Sequence, residues 1–151
     1  MTNFSKVSLN ELSDLLLGLL NDGIDVKLDI TGISMVPMLV PNRDSVVLRK
    51  SCGKDLKVND VVLYKRDDGD YVLHRLWAIK GNEYIMVGDG QRVLERGLQD
   101  KNILAKVVSF TRGAKKINID SKKYKLYIAV WRFFRPFRTK INKVFFRKYL
   151  R

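Results

Sequence analysis

The chain has 151 residues, of which 46% are apolar and 30% charged. That is enough to bury one core and too apolar for a disordered polymer, and a single cysteine, Cys52, excludes an internal disulfide framework. The net charge of +13 is unevenly placed: residues 1–110 hold 15 Lys+Arg and 15 Asp+Glu, whereas residues 111–151 hold 14 Lys+Arg and one acid, Asp120, so a neutral body carries a basic tail suited to a polyanion.

Residues 8–22, SLNELSDLLLGLLND, read as an amphipathic helix. Ser8 and Glu11 form a capping box, Leu12, Leu15, Leu16, Leu19 and Leu20 form one stripe, and Gly23 supplies the stop. Leu15 to Leu20 follow Glu11 and Asp14 rather than a basic region, so the segment does not read as a secretory leader. No apolar run approaches the roughly 20 residues of a spanning helix, so any membrane contact is expected to be peripheral.

From Ile24 to Ile119 short β-rich runs follow one another: VKLDI, SVVLR, DVVLYKR, YVLHRLWAI, YIMVG and ILAKVVSF. Asp67-Asp68-Gly69-Asp70 and Lys80-Gly81-Asn82 read as hairpin turns between them. The spacing predicts a mainly β protein built on a compact antiparallel β domain. Residues 121–151 return to helical periodicity, with Leu126, Val130, Phe133, Phe134, Phe137, Ile141, Val144 and Phe145 on the apolar side and six basic residues from Arg132 to Arg147 on the other. Pro136 should kink or split this helix. The expected organisation is an N-terminal helix over 1–23, a β domain over 24–120 and a basic amphipathic helix over 121–151, all in one structural domain.

The segment most suggestive of chemistry is Thr31-Gly32-Ile33-Ser34-Met35-Val36-Pro37-Met38-Leu39. A serine held between glycine and proline at a strand end can project its hydroxyl into a cleft. Gly32 allows close approach of a substrate backbone, and Pro37 fixes the exit of the turn. The Ser34 amide could then face a developing oxyanion, with Gly32, Ile33, Met35 and Pro37 as the surrounding substrate-binding or oxyanion positions.

The pattern G-x-S-M-x-P-x-L around Ser34 resembles the nucleophile box of type I signal peptidases, shared in looser form with the LexA-like self-cleaving repressors. Three further boxes follow in the family's order. Asn59-Asp60-Val61-Val62-Leu63-Tyr64 resembles the G-D-V-V strand, with Asn59 in place of glycine; Val72-Leu73-His74-Arg75-Leu76 resembles the V-H-R strand of the endoplasmic-reticulum and archaeal branch; Val87-Gly88-Asp89-Gly90 resembles the G-D-N box, with Gly90 in place of asparagine. The match spans roughly residues 24–110. The resemblance implies a signal-peptidase/LexA-type β fold, serine endopeptidase activity on an extended peptide bound as an added strand, and no metal or cofactor.

Related enzymes place a lysine or a histidine on the later strand as base. The resemblance puts His74, the only histidine, in that role. An ordinary histidine is mostly neutral at pH 7, whereas Lys65 or Lys80 would need a strongly lowered pKa, and both neighbour turns. Asp89 is implied as the third member, orienting the imidazole or supporting the fold beneath it, with Asp60 as its rival. The second oxyanion donor is left between Thr31 and a backbone amide.

The resulting expectation is a Ser34–His74 serine endopeptidase that cleaves a leader or precursor peptide. The basic C-terminal helix would hold it on an anionic membrane as a peripheral protein of the cytoplasmic face. Two other classes are carried beside it. One is a non-catalytic peptide-capturing module of the same fold. The other is a nucleic-acid-binding protein acting through the basic tail, which the aromatic residues at core spacing disfavour. No segment before residue 24 could read DNA as a helix-turn-helix, against a complete LexA-like repressor.

Overall fold

The structure, a computed structural model, describes residues 13–135. Helix α1 (Ser13–Asn21) leads into strands β1 (Val26–Asp29), β2 (Asp44–Lys50), β3 (Val61–Lys65), β4 (Tyr71–Lys80), β5 (Glu83–Val87), β6 (Glu95–Leu98), β7 (Ile103–Arg112) and β8 (Lys115–Asn118), and helix α2 (Lys122–Phe134) follows. The protein is mainly β, with every strand pair antiparallel in one sheet of order β1-β2-β7-β3-β4-β5-β6. β8 lies against the second half of β7. The Ser8–Glu11 capping box, Leu12 and the segment from Pro136 onward lie outside the described residues.

The six β-rich runs each became a strand, and the two expected turns join them. Gly81 takes φ 57 at the first position of the two-residue link between β4 and β5, a conformation that glycine adopts without steric cost. β6 and β8 were not anticipated. Their sequences, ERGL and KKIN, are short and charged, and they are strands because a neighbour offers a ladder rather than because of apolar alternation.

Side chains alternate across the strands, and the sheet therefore serves two cores. On β3, Val61 and Leu63 enter a core shared with Leu16, Leu20, Met35, Met38, Leu39, Val46 and Leu48. Val62 and Tyr64 enter a second core with Leu76, Tyr84, Met86 and Leu98. The β3–β4 register sets His74 opposite Val62 and Arg75 opposite Val61. Neighbours in sequence, His74 and Arg75 thus face opposite sides of the sheet.

Helix α1 ends in a Schellman motif: Gly23, at φ 78, lets its own N–H reach Leu20 O and lets the Ile24 N–H reach Leu19 O. Its contact face is narrower than the expected stripe. Leu16 and Leu20 are buried and Leu17 packs beside them, but Leu15 is 65% exposed, because only one edge of the helix meets β1 and β2. Helix α2 is capped by Ser121, whose hydroxyl accepts from Tyr124 N. It docks through Tyr124, Ile128 and Trp131, which are buried. The Trp131 ring meets Trp77 of β4 edge-on at 6.4 Å, and the Arg132 and Arg135 guanidiniums stack on Trp77 at 4.0 and 4.4 Å from its centroid. No helix among the described residues is long and apolar enough to cross a membrane.

Leu20, only 1% exposed, fastens α1 to the sheet. Leu20→Ala is expected to cost about 2–5 kcal/mol. The check is a fall in the urea unfolding midpoint with an unchanged m-value.

Candidate functional site

Ser34 sits in the connection between β1 and β2. The base of this loop is closed by Ile30 N donating to Asp44 O and Asn42 N donating to Ile30 O, and its interior by Val36 N to Ile33 O and Leu39 N to Met35 O. The Asp44 carboxylate accepts from Val40 N at 2.9 Å, and Arg112 donates to Met38 O at 2.8 Å. Met35, Met38 and Leu39 anchor the loop in the first core at 2% exposure or less. Gly32 and Thr31 are exposed, whereas Ile33, Ser34 and Pro37 are half-buried. A Cβ added at Gly32 would meet nothing within 4 Å, so the space in front of it is open. Of the positions expected around the nucleophile, Met35 gives its side chain to packing, while Gly32, Ile33 and Pro37 remain at the surface of the loop.

The Ser34 carbonyl fixes where the loop lies. It accepts from Gly90 N at 2.8 Å, and a Cβ on Gly88 would come within 2.6 Å of it. Gly88 is therefore glycine because the Ser34 backbone occupies the place of its side chain. The β4–β5 register pairs Arg75 with Val87. Ser34 is thus held at the end of β5, the strand paired with the one that carries His74. The hydroxyl and the imidazole share no hydrogen bond in this structure.

His74 is 3% exposed, in the second core. Its Nδ1 lies 3.0 Å from the Tyr64 hydroxyl, which in turn donates to Glu95 Oε2 at 2.7 Å. Glu95 itself is 3.8 Å from Nδ1, beyond hydrogen-bond range. Arg66 holds the Glu95 carboxylate with two bonds of 2.6 and 2.8 Å, and this pairing, followed by the Tyr64 bond, lowers the Glu95 pKa despite partial burial. Burial is the main influence on His74 and outweighs the Glu95 charge, pushing the imidazole down to about 4. Burial and the neighbouring carboxylate push the Tyr64 phenol up. At neutral pH the constellation is therefore a neutral imidazole, a neutral phenol and a carboxylate.

Asp89 belongs to the other face. Its two oxygens receive Arg75 Nε at 2.8 Å and Nη2 at 2.6 Å, with both side chains fully buried. The guanidinium also donates to Asn59 O at 2.8 Å and to the Tyr124 hydroxyl at 3.2 Å, touches the Met38 sulfur, and lies 5.2 Å over the Trp131 ring. Both Asp89 oxygens are thus engaged by Arg75, while its charge also acts on His74. Asp60, its rival, accepts from Lys57 N and closes its own turn. Asn59, where the resembled box has glycine, takes φ 83, a backbone region that glycine enters freely and asparagine better than most residues. Lys65 and Lys80 are exposed, and Cys52 is an exposed loop thiol bonded to Asp55.

The structure therefore brings together His74, Tyr64, Glu95 and Arg66, and seats the Ser34 backbone against Gly88 and Gly90 just past the end of β5. Glu95 and Tyr64 escaped sequence reasoning. Glu95 follows a stretch with no apolar pattern, and Tyr64 reads as an ordinary strand aromatic. The one available signal was register, since Tyr64 and His74 share a face by period-two alternation. No protein-family model matches the chain, and no curated protein matches it.

Asp89→Asn leaves the Arg75 charge buried without its counter-ion and is expected to cost about 3–5 kcal/mol. In a double-mutant cycle with Arg75→Met, read by urea unfolding, the two losses should fall well short of additive.

Proposed function

We propose that this protein is a serine endopeptidase of the signal-peptidase type, in which Ser34 is the nucleophile, His74 the general base and Glu95 the acid that supports it. The observation that carries the reading is the seating of Ser34 against Gly88 at the end of β5, the strand paired with the one that carries a buried, neutral His74 whose Nδ1 is already engaged. Two further features favour it. The second box needs a left-handed residue at Asn59, and the third and fourth boxes are joined by the Arg75–Asp89 pair. That link accounts for their occurring together.

The chemistry follows from the groups. The Ser34 hydroxyl proton passes to His74 as Oγ bonds to the scissile carbonyl carbon, and the Ser34 amide stabilises the oxyanion. The same proton then goes to the departing amine nitrogen as the C–N bond breaks. Water gives a proton to His74 while its oxygen attacks the acyl carbon, and that proton returns to Ser34 as the ester bond breaks. The substrate's extended backbone would add to the edge strand β1, which leads directly into the Ser34 loop.

The reading extends to a membrane surface. On α2, Tyr124, Ile128 and Trp131 dock to the sheet, while Leu126, Val130 and Phe133 repeat the same spacing on the opposite side and are 66%, 49% and 73% exposed. Lys122, Lys123 and Lys125 are exposed on the same helix. An apolar stripe edged by cations fits an anionic bilayer surface.

A fluorophosphonate probe should label Ser34, with labelling lost in Ser34→Ala and reduced about 10²-fold or more in His74→Ala. Peptide cleavage by the parent should hold from neutral pH down to about 4, where His74 takes up a proton. Cleavage that survives both substitutions would refute the assignment. In a separate test, the full chain should sediment with phosphatidylserine-containing vesicles and not with neutral ones. Leu126→Glu with Phe133→Glu should release it, whereas retention by DNA alone would favour nucleic acid instead.

A further inference from the structure

We propose that Tyr64 is the positioning residue of the site: its hydroxyl, interposed between Glu95 and His74, fixes the imidazole as the Nδ1–H tautomer and leaves Nε2 as the bare, basic nitrogen. The catalytic use of that nitrogen rests on the peptidase reading; the tautomer does not.

A count of protons fixes the tautomer. Glu95 is too far from His74 to bond it directly, at 3.8 Å, and the Tyr64 oxygen fills the gap at 3.0 Å from Nδ1 and 2.7 Å from Oε2. A phenol has one proton. The Glu95 carboxylate, clamped by Arg66 through two short bonds, is ionised and has none to give. The phenol proton must therefore point at Glu95. The phenol oxygen then faces Nδ1 with lone pairs only, so the hydrogen in that contact belongs to the imidazole. A neutral imidazole with its proton on Nδ1 has an unprotonated Nε2.

The charged and titratable groups around the ring agree. Tyr64 on β3, Arg66 just beyond it, Glu95 on β6 and Asp89 after β5 are the groups acting on His74. The two carboxylates favour a proton on the ring, whereas Arg66 and burial oppose it, and burial dominates. The phenol keeps its proton, because both burial and Glu95 resist its ionisation. When His74 accepts the Ser34 proton at Nε2, Tyr64 transmits the Glu95 charge to the new imidazolium without moving a proton itself. The arrangement differs from a carboxylate bonded directly to the imidazole, because the phenol stands between base and carboxylate and keeps them 3.8 Å apart. The base stays unprotonated well into the acid range.

His74 is the only histidine, so its imidazole nitrogens are assigned without ambiguity in a 15N-labelled full-length protein. Long-range 1H–15N spectra between pH 5 and 8 should show Nδ1 protonated and Nε2 bare. Tyr64→Phe, which keeps the ring and removes the oxygen, should abolish that preference and lower kcat about 10²-fold with little change in KM. Glu95→Gln, which retains the phenol but can also donate to it, should weaken the preference as well and guards against a folding defect in Tyr64→Phe. A wild-type Nε2–H tautomer, or a tautomer unchanged in both variants, overturns the proposal. A Tyr64-dependent Nδ1–H tautomer in a protein that labels with no fluorophosphonate supports the positioning role and refutes the peptidase reading instead.

Discussion

The Arg75–Asp89 pair is the constraint on which the rest of the structure depends. Two full charges taken out of water are tolerated only when the geometry is good and the remaining hydrogen-bonding groups are satisfied. Here the guanidinium is gripped by both carboxylate oxygens and also reaches Asn59 O and Tyr124, with Met38 and Trp131 against it. Those partners come from the approach to β3, the loop of Ser34, the exit of β5 and helix α2. One buried cation thus orients four separate segments. None of them could shift without exposing a charge to a nonpolar interior.

That constraint also positions the residues of the candidate site. Because side chains alternate along a strand, fixing Arg75 on one face fixes His74 on the other. Asp89 holds its end of the pair and thereby fixes its neighbours Gly88 and Gly90, which are the two residues that seat the Ser34 carbonyl. The dipeptide His74-Arg75 and the tripeptide Gly88-Asp89-Gly90 are therefore each divided between the buried ion pair and the candidate site. This is why short boxes, far apart in sequence, carry so much of the arrangement.

Much of the fold was legible because its causes are local. DVVLYKR alternates between two cores and SVVLR sends Val46 and Leu48 into one of them, so both announce themselves as strands, and glycines at 23 and 81 sit where the chain needs a positive φ. The charged strands β6 and β8 were not legible, since a backbone ladder leaves no periodicity in a four-residue segment. The site divided in the same way. Ser34 and His74 stand in recognisable settings. Glu95 meets Tyr64 across 31 residues of sequence through one hydroxyl proton, and Asp89 drew attention by the box it sits in, which does not name its partner, the buried Arg75. A carboxylate's role depends on which cation claims it, and that is decided by folding.

The two stripes of α2 carry a geometric consequence. A helix bound to the sheet along one side and to a bilayer along the opposite side must lie flat between them, with the sheet standing off by about one helix diameter, roughly 10 Å. The helix would then act as a spacer of set thickness. Which bonds of a membrane-tethered chain come within reach would be decided by their height above the lipid as well as by the residues beside them.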